Sequence, residues 1–156
     1  MKKTFASVLV LASFILNSCG KSADSGCQPV PVANEKAQLV TYCTTNNITY
    51  TEHTSGMLYQ IIDPGTGATP TTSSTVTVVY TGKFMNGTTF DGTANPVSFP
   101  LNGVIDGWKI GVPLIKKGGH IKLLVPSALA YSCTGYPPSI APNAPLYFDI
   151  TLTDVK

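Results

Sequence analysis

A strict two-residue alternation of apolar and polar side chains near the end of the chain constrains its fold most. Leu146, Phe148, Ile150 and Leu152 alternate there with Tyr147, Asp149, Thr151 and Thr153. Successive side chains of a β-strand point to opposite faces of a sheet, so this pattern predicts a strand with one buried face. Residues 75–80 alternate in the same way. Most of the chain beyond residue 57 is therefore expected to form a sheet.

Asn86-Gly87 marks a hairpin between two of these strands. An Asn-Gly pair between alternating segments is the strongest short signal for a hairpin turn, because both residues tolerate positive φ. We expect strands on either side of the turn and three shorter strands elsewhere, at residues 80–85, 88–90, 57–62, 98–101 and 121–125.

Residues 104–115 are the candidate helix of this part of the chain. Pro113 should end or distort that helix, because proline supplies no N–H to the helical hydrogen bonds. A long loop rich in Pro and Gly, residues 126–145, precedes the last strand. The expected fold class is α+β, an antiparallel half-barrel sheet of about five strands wrapped around one short helix.

A short amino-terminal helix is expected before the sheet. Leu39, Val40 and Cys43 recur at helical spacing after Asn34, a residue type that favours the N-cap position. Residues 34–53 are therefore interpreted as a helical segment and residues 54–156 as the main domain.

The first residues carry the pattern of an export signal. Lys2 and Lys3 precede an apolar run at residues 5–16, which is shorter than the roughly 20 residues that span a bilayer. The run ends in Leu16-Asn17-Ser18-Cys19, which resembles a bacterial lipobox, although Asn17 departs from its usual small residue. An ordinary signal peptide with an incidental Cys19 is the alternative.

This interpretation makes residues 1–18 a lipoprotein signal peptide and residues 19–33 a lipidated cysteine followed by a flexible tether. The expected location is the cell envelope, with the lipid anchoring the protein at the periplasmic face of a membrane or at the cell surface. Without Lys2 and Lys3, eight of the ten lysines remain against eight acidic residues, and the chain has no arginine. The bidentate arginine contacts typical of nucleic-acid binding are therefore missing, so no nucleic-acid partner is expected.

Three cysteines remain if Cys19 carries lipid. An exported protein occupies a compartment that permits disulfides, and three thiols allow one internal bridge. We expect a Cys27–Cys43 bridge with Cys133 free, and the main alternative is a Cys43–Cys133 bridge. No pair of cysteines has metal-ligand spacing, so no metal site is expected.

The motifs of covalent and phosphate chemistry do not occur in the sequence. There is no G-x-S-x-G, no H-E-x-x-H and no P-loop, and Asp91 stands without a second carboxylate nearby. Aromatic residues instead collect at strand ends, near the candidate helix and in the long loop: Tyr80, Phe90, Phe99, Trp108, Tyr131 and Phe148. Periodicity alone explains them as an ordinary hydrophobic core.

Four segments carry a more specific signal. They are Val78-Val79-Tyr80-Thr81-Gly82-Lys83 with Asn86-Gly87 and Phe90-Asp91; Val104-Ile105-Asp106-Gly107-Trp108 with Lys116-Lys117-Gly118-Gly119; Val125-Pro126-Ser127-Ala128-Leu129-Ala130-Tyr131; and Ile140-Ala141-Pro142-Asn143-Ala144-Pro145-Leu146 with Phe148-Asp149. In order and spacing they resemble the FKBP-type peptidyl-prolyl cis-trans isomerases over residues 54–156.

The resemblance implies an FKBP-like fold, a catalytic role without a cofactor, and a proline-binding pocket. The residues it implies as catalytic are Tyr80, Asp91, Ile105, Trp108 and Tyr131, and those it implies as substrate-binding are Phe90, Phe99, Val104, Ile140 and Phe148. Trp108 would be the floor beneath the proline ring, and the Ile105 N–H and Tyr131 would bind substrate carbonyls. Tyr80 and Asp91, side by side, would form a polar edge next to the twisting amide. Proline-containing polypeptides are the implied substrates, and macrolides of the kind that bind the family are implied ligands.

Three positions depart from the family pattern. Val97 replaces a frequent aromatic residue, Ser132 replaces a glycine, and Ala141 replaces a proline. They affect the expected peptide preference and loop conformation rather than the expected catalytic side chains. Two other interpretations remain open: a proline-binding or chaperone module without turnover, and a structural envelope lipoprotein that reuses the fold.

Overall fold

The computed structural model describes residues 26–156. Its helices are Val32–Thr45 (α1) and Asp106–Gly111 (α2), and its strands are Thr51–Glu52 (β1), Leu58–Asp63 (β2), Thr75–Phe84 (β3), Thr89–Pro100 (β4), His120–Val125 (β5) and Leu146–Val155 (β6). The six strands of this described part form one open sheet in the order β1-β2-β5-β6-β3-β4, with every neighbouring pair antiparallel. The expected signal peptide and Cys19 lie outside the described residues.

The sheet wraps α2, which confirms the expected α+β class, with one strand more than expected. Residues 98–101 are not a separate strand, because residues 98–100 end the long strand β4. That strand bends by bulges: Val78 pairs with Val97 but Tyr80 pairs with Thr93, so residues 94–96 have no partner on β3. Because of these bulges, residues 89–100 form one continuous strand, where the sequence predicted two separate strands.

Both helices differ from their expected bounds. The N-cap position of α1 is Pro31, whose carbonyl accepts the Asn34 N–H at 2.9 Å, so Asn34 lies inside the first turn and is not the cap. The second helix is shorter than residues 104–115, since α2 ends at Gly111 and a 3₁₀ turn, Val112–Leu114, follows. Pro113 sits in that turn, which is the expected distortion.

The sheet is buried on both faces. Leu123 and Phe148 belong to the core beneath α2, whereas Leu124 and Tyr147 belong to a smaller cluster beneath α1. Adjacent residues of β5 and of β6 thus point to opposite faces, as strand geometry requires. The alternation of β6 continues to Leu152, which is fully buried.

Two glycines bring α2 close to β5. A Cβ at Gly107 would lie 2.4 Å from Cγ1 of Val125, and a Cβ at Gly111 would lie 2.6 Å from Cδ1 of Leu123. Carbon atoms in contact are normally about 3.5–4.0 Å apart, so a side chain at either position would push the helix away. The absence of these side chains fixes the depth of Trp108, which follows Gly107.

The structure joins Cys27 to Cys133, with Cα atoms 5.2 Å apart, and leaves Cys43 as a buried free thiol. The expected Cys27–Cys43 bridge and its alternative, Cys43–Cys133, are both wrong. Cys27 precedes α1 and Cys43 lies near its end, and a helix that rises about 1.5 Å per residue separates them by far more than a disulfide spans. Cys43 instead packs beneath α1 against the sheet, only 1% exposed.

Across residues 26–156, neither helix is long and apolar enough to cross a membrane.

Candidate active site

A cavity of about 410 Å³ opens between α2 and the concave face of the sheet. It is lined by Tyr80, Phe90, Asp91, Phe99, Gly103, Val104, Ile105, Trp108, Tyr131, Tyr136 and Phe148. Nine of the ten residues expected to form the site are therefore brought together, from β3, β4, α2, β6 and the loops between them.

Trp108 lies at the bottom of this cavity and is 4% exposed. Three aromatic rings stand edge-on around its indole, with centroids 5.2 Å away for Tyr80, 5.9 Å for Phe99 and 5.4 Å for Phe148. Edge-to-face contacts at such distances are favourable and hold the indole in one orientation. The result is a flat, rigid, apolar floor of the size of a small ring.

Gly82 makes room for the aromatic wall beside this floor. A Cβ at Gly82 would lie 2.7 Å from Cζ of Phe90 and 3.1 Å from Cε1 of Phe148. Those two rings meet edge-on over the glycine with centroids 5.8 Å apart. A larger residue in β3 would displace both rings from the cavity.

Tyr80 and Asp91 form the polar edge of the cavity. The Tyr80 hydroxyl donates to Oδ2 of Asp91 at 2.6 Å, while the Gly92 N–H donates to Oδ1 at 2.8 Å. The hairpin at Asn86-Gly87 brings the two side chains together, which confirms the expected contact. Burial, followed by the hydrogen bond to Asp91, raises the pKa of the Tyr80 hydroxyl, so this group stays protonated and can donate.

The lining keeps hydrogen-bond donors that are available to a ligand. The Tyr131 hydroxyl and the Ile105 N–H donate to no other group of the described residues. Ile105 occupies the N-cap position of α2, where backbone N–H groups lack helical partners. Burial, with a smaller contribution from Asp91, raises the pKa of Tyr131, so its hydroxyl also remains a donor.

The loop after β5 brings Tyr136, which was not among the expected residues, to the cavity, whereas the expected Ile140 does not line it. Tyr136 lines the cavity with its ring 5.4 Å from that of Tyr131, and it is 60% exposed. Ile140 is 4% exposed and packs in the core instead of lining the cavity. A short bridge, in which the Tyr136 and Ile140 backbones hydrogen-bond, folds the loop back on itself between these two residues. No periodicity in the loop sequence signals this bridge.

The departures from the family pattern have local consequences. Ser132 adopts φ 51°, the left-handed conformation that glycine enters most easily, directly after Tyr131. Val97 pairs with Val78 and packs against the core. Within residues 26–156, no three side chains of His, Cys, Asp or Glu cluster as metal ligands do.

The family model for the FKBP-type peptidyl-prolyl cis-trans isomerases matches residues 67–153, which is more than half of the chain. The chain belongs to this family. The FKBP-type match covers the cavity, and it leaves out α1, β1, β2 and the disulfide partner Cys27.

Relatives of known name support the same assignment. The chain is 47% identical over 105 residues to FKBP-type peptidyl-prolyl cis-trans isomerase FkpA of Escherichia coli strain K12, a match that covers 65% of this chain and 38% of FkpA. It is 44% identical over 105 residues to the outer membrane protein MIP of Legionella longbeachae, covering 65% of this chain and 45% of MIP. The chain thus spans less than half of the length of these curated relatives.

Solved structures show the same FKBP-type fold. The crystal structure of FkpA from Escherichia coli superposes with a TM-score of 0.71 at 40% identity, covering 80% of this chain and 61% of that one. A peptidyl-prolyl cis-trans isomerase from Pseudomonas syringae superposes with a TM-score of 0.69 at 30% identity, covering 83% of this chain and 98% of that one.

Proposed function

We propose that this protein is a peptidyl-prolyl cis-trans isomerase that assists the folding of exported proteins. Its substrates are proline-containing segments of unfolded or partly folded polypeptides, and the isomerase domain spans residues 54–156. The cavity also suits the apolar macrolides of the kind that bind the family. Membership of the FKBP-type family and the composition of the cavity support this proposal.

The reaction needs no bond to be broken. Rotation about a prolyl amide faces a barrier of roughly 18–20 kcal/mol that arises from amide resonance. Resonance places negative charge on the carbonyl oxygen, which water stabilises, so a dry apolar pocket weakens resonance and favours the twisted amide. A pocket that is complementary to the twisted form binds it better than either planar isomer. Each 1.36 kcal/mol of such preference increases the rate about tenfold.

Each part of the cavity has a role in this scheme. Trp108 supports the proline ring, and the surrounding aromatic rings exclude water. The Ile105 N–H and the Tyr131 hydroxyl donate to substrate carbonyls on either side of the twisting bond. The Asp91 carboxylate, held by Tyr80, lies at the edge where the twisted amide is exposed.

One observation carries the proposal: an aromatic floor lies beside two unoccupied donors. The edge-on rings around Trp108 make the floor, and the donors of Ile105 and Tyr131 share the same cavity. An ordinary core would fill this space with side chains and would pair its polar groups.

The test is catalysis of cis-trans exchange in a short Xaa-Pro peptide, followed by NMR. We expect the parent to accelerate exchange and Tyr80→Phe to reduce kcat/KM several-fold by releasing Asp91. Tyr50→Phe is the matched control, because Tyr50 is 39% exposed and does not line the cavity. Peptide binding without acceleration of exchange would replace the isomerase proposal with a proline-binding module.

We further propose that the protein is a lipoprotein of the cell envelope. Lipidation of Cys19 after cleavage of residues 1–18 would anchor it through a short tether, with residues 34–53 between tether and domain. The lipobox-like segment supports this anchoring, and the name of its relative MIP, an outer membrane protein, is consistent with it.

A further inference from the structure

The loop that carries Tyr131 is attached at two points to the amino-terminal part of the chain. We call residues 126–145 the pocket loop and residues 27–35 the amino-terminal clamp. Ser127 bonds to Glu35 of α1, and Cys133 bonds to Cys27. Tyr131 lies between these two attachment points and lines the cavity.

The first attachment is a buried carboxylate. Glu35 is 6% exposed, and its Oε2 accepts the backbone N–H of Ser127 at 2.8 Å. Glu35 forms no ion pair with the described lysines or histidines. The hydrogen bond from Ser127 therefore offsets the cost of removing the Glu35 side chain from water. A charged acceptor makes a shorter and stronger hydrogen bond than a neutral one. Ser127 is fully buried and begins a 3₁₀ turn, Ser127–Leu129, which ends two residues before Tyr131.

The second attachment is covalent. The Cys27–Cys133 disulfide joins residues 106 positions apart, and Cys133 lies two residues after Tyr131. Beside the disulfide, the Asn143 side-chain amide donates to the Gln28 carbonyl at 3.4 Å. The same Asn143 donates its backbone N–H to the Ser132 carbonyl at 2.8 Å, which joins two parts of the pocket loop beside the disulfide.

Both attachments come from outside the family match. The matched segment is residues 67–153, whereas Cys27 and Glu35 precede it. The pocket loop has hydrogen bonds of its own, such as the Tyr136–Ile140 bridge, but Tyr136 is mostly exposed. The clamp adds two attachments to another part of the chain, one on each side of Tyr131.

We propose that Glu35 and the Cys27–Cys133 disulfide are positioning elements that hold Tyr131 against the cavity. Neither touches a substrate; each acts through the backbone of the pocket loop. The proposal rests on the proposed isomerase function, because the positioned hydroxyl is one of the two donors to the substrate. It predicts that loss of the clamp impairs catalysis more than it impairs folding.

The experiment compares variants of α1 that differ in their contact with the loop. Glu35→Leu removes the acceptor, whereas Glu35→Gln keeps an oxygen for the Ser127 N–H. Leu39→Ala is the matched control, because Leu39 is fully buried beneath the same helix in a cluster that includes no pocket-loop residue. We expect Glu35→Leu to lower kcat/KM about five-fold, a typical size for coupling through a network. Glu35→Gln should retain most of the activity, and Leu39→Ala should lose stability with kcat/KM near that of the parent.

A double-mutant cycle separates positioning from general loosening. Tyr131→Phe removes the hydroxyl that the clamp is proposed to hold. It should reduce kcat/KM about five-fold in the parent and only weakly in the Glu35→Leu background, because there the hydroxyl is already misplaced. The paired substitution Cys27→Ser with Cys133→Ser should show the same loss of coupling. An equal effect of Tyr131→Phe in every background would overturn the proposal, as would equal kinetic losses in Glu35→Leu and Leu39→Ala.

Amide hydrogen exchange tests the clamp without any activity. Glu35→Leu and the double serine variant should accelerate exchange at residues 127–135 while leaving β6 protected. Unchanged exchange at residues 127–135 would overturn the clamp. A parent without isomerase activity would refute the proposed function, and the exchange result would then decide the clamp by itself.

Discussion

Substituting Gly107 with alanine should separate stability from activity in this fold. The new Cβ would lie 2.4 Å from Cγ1 of Val125, about 1 Å closer than carbon contacts allow. Because Val125 is fully buried in β5, α2 has to retreat by a similar distance. Trp108 is the next residue, so the floor of the cavity moves with the helix.

Two opposing terms make the predicted change in stability small. Overpacking of a core costs about 1–3 kcal/mol, whereas replacing glycine by alanine in a helix gains about 1 kcal/mol. The net free energy of unfolding should therefore fall by about 0–2 kcal/mol. Activity should fall much further, because a displacement of about 1 Å in a catalytic site can cost on the order of 100-fold.

The assay pairs urea unfolding with the exchange rate of an Xaa-Pro peptide. Gly107→Ala should unfold near the parent midpoint yet lose at least tenfold in kcat/KM. Val125→Ala removes the methyl groups that obstruct the new Cβ, so the double variant should be more stable than the two single effects predict, by about 0.5–3 kcal/mol. The double variant should also have a higher kcat/KM than Gly107→Ala alone. Parent-level activity in Gly107→Ala would show that the close approach of α2 does not position Trp108.

Further predictions concern the cysteines. Non-reducing peptide mapping should find Cys27 linked to Cys133, and a peptide that links Cys43 to either of them would contradict the structure. In the chain-entropy model a disulfide that closes so long a loop contributes on the order of 4–5 kcal/mol to the free energy of unfolding. Burial raises the pKa of the Cys43 thiol from 9.0 to about 11. The unfolded chain then loses this proton first as pH rises, so the contribution of Cys43 to the urea midpoint should be constant below about pH 9 and fall between about pH 9 and 11. The midpoint should therefore fall less steeply over this range in Cys43→Ala. Cys19→Ala should remove the lipid, so that the protein is found as an unlipidated precursor or as a soluble product. If the variant still partitions with membranes as the parent does, the lipobox interpretation is wrong.

The sheet and the polar edge of the site could be predicted because local sequence determines them. The alternation of β6 places Phe148 on the cavity side, and the Asn86-Gly87 turn sets the register that brings Asp91 to Tyr80. In both cases the relevant contacts lie along one strand or across one hairpin.

Features that depend on distant contacts could not be predicted. The bridge that places Tyr136 in the cavity has no sequence signal, and the burial of Glu35 depends on Ser127, 92 residues later. The disulfide was mispredicted because nearness in sequence was taken for nearness in space, although the rigid helix α1 lies between Cys27 and Cys43. The bulges of β4 arise from its pairing with β3 and were likewise hidden.

Prolyl isomerisation by Asp91→Val, measured beside its melting temperature, tests the central claim most directly. Asp91 is exposed and receives only the Tyr80 hydroxyl and the Gly92 N–H among the described groups, so its loss should leave the fold intact. Asp63→Val is the matched control, because Asp63 is exposed, accepts the Gly65 N–H at 2.8 Å and does not line the cavity. We predict a fall in kcat/KM of about tenfold or more for Asp91→Val, equivalent to about 1.4 kcal/mol, and none for Asp63→Val. Unchanged isomerisation by a folded Asp91→Val protein would contradict the account.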